Sequence, residues 1–597
     1  MKESPFETQK EFFGHPVGLY ILFFTELWER FSYYGMRALL VLYISTSITD
    51  IDPGLGWSNK DALWLYGWYT MLVYVASIPG GYIADKFLGQ KKTVMFGGFL
   101  LCAGHLILSI PSSLSFFIGL GLIILGVGGL KPNISTMVGG LYDLGDPRRD
   151  SGFTIFYIGI NIGAFLSSIV VGLVAYKYGW HYGFGLAGIG MLIGQSVFIF
   201  GQKYLKHVGN FIGSNSSKVE FKEVQKPLTK IEKDRVVVLL ISFLIVIVFW
   251  GAFEQAGGLM NLYTDAKVDR YLGLSWLEEI PAAVFQSLNA GYIIIFGTLI
   301  GSFWIWWKKK GYEASSIFKM ALGTIIMGLG YVFMIFATKE ASSVEFGKSA
   351  MYWVFLAYFL HTVGELCTSP VSLSFITKLA PVKYASIMMG IYFAATGLGN
   401  KFAGSIGESS QLESYKGVLI SSKQKIYELT TKDSIEVKKM INGKKIISKV
   451  YTYPIDLDEN FNIKTKIFTK NGNLIFKEYN SEKEITDVFQ LTDKDGTGVG
   501  AKDLINYLEA EDVHEANPYH SILKFEKDKD KENKFIGDGE NYNLSFVIEE
   551  QQNEQEYKTF LFLTIFTVSF GLLLIVFLNK LKKLTHGAED FEKSLDK

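Results

Sequence analysis

The stretch from Glu26 to Arg37, Glu-Leu-Trp-Glu-Arg-Phe-Ser-Tyr-Tyr-Gly-Met-Arg, constrains this chain more than any other. It sits inside an apolar run from about Val17 to Ile44, long enough to span a bilayer as a helix. Glu26, Glu29, Arg30, Tyr33, Tyr34 and Arg37 fall at i, i+3, i+4, i+7, i+8 and i+11, which lines one face of that helix. A charge at mid-membrane costs roughly 2.5–3.5 kcal/mol on insertion scales. Four ionisable groups in one span must therefore face partners or a water-filled cavity. A buried ion-pair network that only ties helices together is the competing reading, but apolar packing would serve that purpose better.

The rest of the chain supplies the membrane context. Of its 597 residues 49% are hydrophobic, and the formal net charge is zero. Mean hydropathy is +0.23. A positive value over so long a chain means a polytopic, all-α integral membrane protein, and the balanced charge gives no reason to expect nucleic acid. Cys102 and Cys367 both lie in apolar runs, so neither a disulfide framework nor a zinc motif is expected. No serine, histidine and acid set is placed as a hydrolytic centre, so the expectation is not an enzyme. The polar segment from Met1 to His15 does not read as a cleavable signal peptide.

About twelve spans can be read. Six fall at roughly 17–46, 62–84, 92–110, 114–139, 152–176 and 183–204. A charged linker covers about 205–234, and further spans fall at roughly 235–262, 281–307, 316–337, 350–376, 384–408 and 558–580. The short connections carrying Lys86, Lys91 and Lys92, Arg148 and Arg149, and Lys308, Lys309 and Lys310 are basic, as are the linker and the tail after the last span. Basic loops stay in the cytoplasm, so both termini are expected inside, in a cell membrane. The expected domains are a first six-helix bundle (1–204), a cytoplasmic linker (205–234), the next five helices (235–408), an insert (409–556), the last helix (557–581) and a cytoplasmic tail (582–597).

The insert is polar and reads differently. Ser434 to Ile441 and Lys444 to Tyr453 alternate apolar and polar residues around Asn442-Gly443, a strong hairpin signal. Asn462 to Thr469 and Leu474 to Tyr479 flank Asn471-Gly472 in the same way, Asn543 to Glu549 reads as a strand, and Ala501 to Leu508 reads as a helix. A small β-rich extracytoplasmic domain is therefore expected between helices eleven and twelve, with an unknown partner. Asp493 to Gly498 resembles a calcium loop, but Leu504 stands where a bidentate Glu is needed, so an acidic turn is the preferred reading.

Other polar residues lie deep in the spans. Lys131, in Gly126-Val-Gly-Gly-Leu-Lys-Pro-Asn133, needs a counter-charge or an anionic substrate. Pro132 removes a backbone donor and can bend the helix. Asn161 offers a donor and an acceptor, although an intramembrane Asn is as often glue between helices as a ligand. Glu254 in span seven and Glu365 in span ten place acids in the carboxyl half, with Asn289 in span eight and Ser369 just after Glu365. Cations in one half and acids in the other suit a zwitterion held between the halves by charge-assisted hydrogen bonds.

Glu26-x-x-Glu29-Arg30-Phe31-x-Tyr33-Tyr34-Gly35 resembles, without a gap, the first-helix signature of the proton-dependent oligopeptide transporter family. Phe156-Tyr157-x-x-Ile160-Asn161-x-Gly163 resembles its second signature, and Gly80 to Gly89 followed by Lys91-Lys92 its loop motif. The resemblance implies a major facilitator fold of two six-helix bundles. It implies a symporter that imports di- and tripeptides with protons by alternating access, with no cofactor beyond the proton as coupling ion. It implies that Arg30 and Lys131 anchor the peptide carboxylate, that Glu365 and Asn289 take the amino end, and that Asn161, Tyr33, Tyr34 and Tyr74 hold the middle. Arg37, Glu254 and Ser369 complete the implied pocket. Glu26, Glu29 and Glu254, with Arg30, are the implied proton-coupling set, and Arg37–Glu254 and Lys131–Glu365 the implied gating pairs. Tyr392 stands where a tryptophan is expected and Ala290 where a proline is common. The family has only a short loop at the insert and implies nothing about it. Two alternatives stay open: another small anion or amino acid, such as nitrate, on the same scaffold, or a non-transporting receptor that displays the insert.

Overall fold

The computed structural model describes residues 10–46, 52–143, 146, 148–211, 228–343, 348–381, 385–412, 415–422, 434–441, 444–451, 466–470, 473–479, 485–490, 524–527, 539–546 and 549–587. The chain forms two compact units. The first comprises Met1–Thr46, Asp61–Ser409 and Tyr557–Lys597, the second Ser47–Lys60 and Ser410–Glu556.

The first unit is helical. A two-strand clasp, β1 (Glu11–Phe12) with β2 (His15–Pro16), leads into α1 (Val17–Ser45). Then come α2 (Asn59–Val75), α3 (Ser77–Ile83), α4 (Gln90–Leu108), α5 (Ser113–Gly139), α6 (Arg149–Tyr178) and α7 (Trp180–Gly201). The carboxyl half contains α8 (Lys230–Phe253), α9 (Leu259–Lys267), α10 (Ser287–Lys309), α11 (Ser316–Ser343), α12 (Tyr352–Leu379) and α13 (Ala385–Ser409), and α14 (Glu549–Leu584) closes the chain. Among the described residues nine helices are both long and apolar enough to cross a bilayer. α1 is not one of these nine, although its 29 residues exceed the length needed, because Glu26, Glu29, Arg30 and Arg37 interrupt its apolar run. Leu125, Leu299 and Val576 are 60%, 60% and 77% exposed. In water such residues would be a liability; in lipid they are the expected outer surface.

Two expected spans are broken. The second stops at Val75, resumes at Ser77 and ends in a π-helical turn, Ala84–Leu88, before Gly89. At Gly80 a Cβ would lie 2.0 Å from the Gly128 carbonyl oxygen, so only glycine lets α3 lie against the backbone of α5. The seventh span is broken at Glu254: α8 gives way to a 3₁₀ turn, Glu254–Ala256, and the helix restarts only after Gly257 and Gly258. The expected start of that span at 235 also moves. A capping box between Thr229 and Glu232 starts α8 at Lys230, inside the charged segment. Hydropathy marks where a helix enters lipid, whereas capping marks where it begins. α14 likewise starts at Glu549, ahead of the apolar run expected from 558.

Between α9 and α10, β3 (Val268–Asp269) pairs in parallel with β6 (Ser349–Ala350), and β4 (Tyr271–Leu274) pairs with β5 (Leu277–Glu279). Arg270 fastens this connection through the Ile280 carbonyl at 2.7 Å and Asp265 Oδ1 at 3.1 Å.

The second unit contains strands. β8 (Ser434–Ile441) and β9 (Lys444–Tyr451) are antiparallel, with Ile441 opposite Lys444. β10 (Lys466–Lys470), β11 (Asn473–Tyr479) and β12 (Ile485–Gln490) form a three-stranded sheet in that order. β7 (Tyr415–Ser422) lies between β13 (Lys524–Lys527) and β14 (Gly539–Phe546) in another. The strand expected to run to Glu549 ends at Phe546, since Glu549 already belongs to α14. The acidic turn at 493–498 and the helix expected over 501–508 lie outside the described residues.

Candidate functional site

A cavity of about 1290 Å³ lies between the two halves of the first unit. From the amino half, α1 presents Glu26, Arg30, Tyr34 and Arg37, joined by Tyr74, Lys131 and Asn161. From the carboxyl half come Asn289, Glu365, Ser369 and Tyr392. Tyr82, Asp85, Gln90 and Phe153 mark its mouth, here called the open end.

The opposite end is closed by polar contacts between the halves. Arg37 Nη1 donates to Glu254 Oε1 and Oε2 at 3.0 and 3.1 Å, and the Tyr66 hydroxyl donates to Oε2 at 2.8 Å. Both members of the ion pair are largely buried, with 12% and 3% of their side chains exposed. The break in the seventh span puts Glu254 in a turn rather than in the ladder of a continuous helix. Beyond this pair, Asn261 Nδ2 donates to the Ala38 carbonyl at 2.9 Å and Asn400 Nδ2 to the Thr70 carbonyl at 3.5 Å.

The charged cluster on α1 is built differently. Arg30 Nε lies 2.9 Å from Glu26 Oε1 and 2.5 Å from Glu29 Oε2. All three side chains are almost fully buried. Close as these ion pairs are, Glu26 Oε2, both Glu29 oxygens, and Arg30 Nε and Nη2 make no well-aligned hydrogen bond among the described residues. Two carboxylates thus share one guanidinium with acceptor capacity left over.

Lys131 Nζ stands 3.8 Å from the centre of the Tyr74 ring, a cation–π contact. No ion pair joins it to Glu365 among the described residues. Glu365 Oε2 instead accepts from Asn289 Nδ2 at 2.7 Å, and Asn289 also donates to Thr362 Oγ1 at 3.2 Å. Arg30 and Lys131 therefore face Glu365 and Asn289 across the cavity, cations on one wall and a hydrogen-bonded acid on the other.

Some expected site residues lie elsewhere. Tyr33, Glu29 and Glu254 do not line the cavity: they stand behind Tyr34, Arg30 and Arg37 respectively. Asn161 does line it, but one amide N–H is committed to the Tyr157 carbonyl at 2.9 Å, within its own helix. Tyr66, Trp250, Phe253 and Tyr358 join the site without having been among the expected residues. A tyrosine hydroxyl inside a span must find a partner, which flags Tyr66, but nothing in the sequence directs it to Glu254.

Comparison with known proteins gives the family. The sequence matches the POT family over residues 91–224 and 216–414. It is similar to the peptide transporter YePEPT of Yersinia enterocolitica, 34% identical over 458 residues, which is 67% of this chain and 88% of that protein. It is similar to a di-/tripeptide transporter of Lactococcus lactis, 34% identical over 445 residues, 65% of this chain and 88% of that protein. Among solved structures, a mutant of a POT peptide transporter in complex with alafosfalin superposes with a TM-score of 0.61 at 34% identity, covering 67% of this chain and 90% of that one. The chain is a multi-pass membrane protein and belongs to the POT family.

Proposed function

We propose that this protein imports di- and tripeptides together with protons, by alternating access of the cavity to the two sides of the membrane. Peptide transport follows from the family and from the relatives named above. The observation that carries the substrate reading is the division of charge across the cavity: Arg30 and Lys131 on one wall, Glu365 held by Asn289 on the other. A short peptide has a carboxylate for the first pair and an ammonium for the second, and both contacts are charge-assisted. Nitrate would leave the Glu365 carboxylate without a cation to answer, which favours the peptide over an inorganic anion.

Proton coupling is assigned to Glu26, Glu29 and Arg30, with Glu254 as a second acid. Protonating Glu29 frees Arg30 from one of its two carboxylates, so the guanidinium can turn to a peptide carboxylate in the cavity. Arg37–Glu254 is the gate at the closed end, and Lys131–Glu365 the gate that forms when the open end shuts. In this reading the open end faces the cytoplasm, both termini are cytoplasmic, and 409–556 forms a β-rich insert outside. The halves, the linker over 205–234 and the tail follow the domain boundaries given above.

Uptake of a labelled dipeptide into proteoliposomes, with and without an inward proton gradient, tests the proposal. Accumulation above the external concentration only with the gradient is expected. Uptake that ignores the gradient, or none in protein shown to be folded, would contradict it.

A further inference from the structure

At the closed end α2 and α13 approach closely enough that a Cβ on Gly404 would lie 2.5 Å from the Gly67 Cα. Beside that seam α2 presents two large aromatics to the surroundings. Trp64 and Trp68 are 45% and 37% exposed, with ring centres 6.3 Å apart. Neither indole N–H makes a hydrogen bond among the described residues. From the other half, the Lys401 ammonium sits 5.2 Å from the centre of the Trp68 ring. Among the described residues it donates to Ser405 Oγ at 3.3 Å, one turn nearer the end of α13, so the side chain reaches toward that end. Lys401 forms no ion pair among the described residues, and Glu408, seven residues further on, is not paired with it either. A cation inside a span without a carboxylate calls for an anion from outside the chain. Lys401 lies about 12 Å from the last residue of α13 at 1.5 Å per residue, within reach of the headgroup layer for a four-carbon side chain.

We propose that this seam is a binding site for the phosphate of an anionic phospholipid, with Lys401 as the cation, Trp68 and Trp64 as aromatic walls and their indole N–H groups as additional donors. A zwitterionic lipid brings its own ammonium, which competes with Lys401, so a net negative headgroup is favoured. The two halves contribute different parts: Lys401 from the carboxyl half and both tryptophans from the amino half. The complete site exists only while α2 and α13 are together. The lipid therefore binds the closed-end-shut state in preference to the other and shifts the population toward it.

The test uses the full chain with two readouts. Native mass spectrometry of protein taken from phosphatidylglycerol-containing nanodiscs counts retained lipid. Spin labels at Tyr178 and Tyr352, exposed and on different halves, measure the closed-end spacing. One basic contact to anionic lipid corresponds to roughly a fivefold larger shut-to-open ratio in phosphatidylglycerol than in phosphatidylcholine. Lys401→Gln should lose both the extra lipid and the shift, Lys401→Arg should keep them, and Lys177→Gln should behave as the unaltered chain. Trp68→Leu, which leaves the charge in place, should weaken lipid retention and provides an independent variant if Lys401→Gln folds poorly. Equal lipid retention and an equal shift in Lys401→Gln would overturn the proposal. So would an unaltered chain indifferent to lipid charge, or the same shift produced by inorganic phosphate in phosphatidylcholine nanodiscs, which would assign the site to the free ion.

Discussion

Glu29 is the residue on which the proposed coupling turns. It is buried against Arg30 Nε, with Glu26 on the other side and its own oxygens short of donors. Glu29→Gln mimics the protonated acid permanently. It should abolish gradient-driven accumulation while retaining peptide counterflow, which needs alternation but no net proton movement. A Glu29→Gln protein that still concentrates peptide under a gradient would remove Glu29 from this role. Glu254→Gln tests the gate. Loss of the charge leaves Arg37 buried without a counter-ion in the shut state, a cost on the order of 3 kcal/mol. If only the shut state bears that cost, the closed-end equilibrium moves roughly a hundredfold toward opening. Spin-label distances across the closed end should lengthen accordingly, and unchanged distributions in folded protein would remove Glu254 as a gate. Much of this was legible in the sequence because charge in a span is costly and must be answered. Glu26, Arg30, Arg37, Lys131, Glu254 and Glu365 stand out by chemistry alone. The positions of Tyr33 and Glu29 behind the cavity wall were not legible. Helical spacing fixes a face but not which part of that face meets a neighbour and which meets a void.

At the scale of elements, the two halves touch where side chains are absent. Gly67 on α2 and Gly404 on α13 oppose each other backbone to backbone, and a Cβ on Gly67 would lie 2.9 Å from the Gly404 Cα. Helices in lipid associate by such close packing, since lipid supplies no hydrophobic drive between them. Gly404→Val should therefore separate α2 from α13, lower the shut fraction at least tenfold, and slow transport while leaving the other helices in place. Circular dichroism controls for folding, and distances across the closed end give the result. A shut fraction equal to that of the unaltered chain would show that the glycine pair is not a determinant of closure. The helices themselves were readable from apolar length, but their interruptions were not. Hydropathy averages across Ala76 and Glu254, where the chain breaks its helix for reasons of packing and charge. The strands β3 to β6 were also missed: they are too short for a periodic pattern, and β3 and β6 meet only through the folded helices between them.

At the scale of the whole molecule, the family match begins at 91, in α4, and ends at 414, after α13. The segment that follows is polar, and short basic loops elsewhere fix its expected side as the outside. Both native cysteines, Cys102 and Cys367, are buried, so a cysteine introduced at Lys445 reports with little background. A membrane-impermeant thiol reagent should label Lys445→Cys in intact spheroplasts. Labelling only after lysis would reverse the orientation of the whole chain. The layout of helices was legible because lipid imposes length and polarity on each span. Strands β8 to β11 were legible as alternation around Asn-Gly turns, whereas β7, β13 and β14 pair across distant parts of the sequence, which no local pattern shows.

The central claim is that one cavity binds both ends of a peptide and that proton movement accompanies it. The most direct measurement is the internal pH of proteoliposomes, followed with an enclosed pH-sensitive dye after peptide is added outside. A zwitterionic dipeptide should acidify the interior. The same dipeptide with its amino end acetylated and its carboxyl end amidated should not, because it offers nothing to Glu365 or to Arg30 and Lys131. Peptide entry without acidification, or equal acidification by the blocked peptide, would contradict the account.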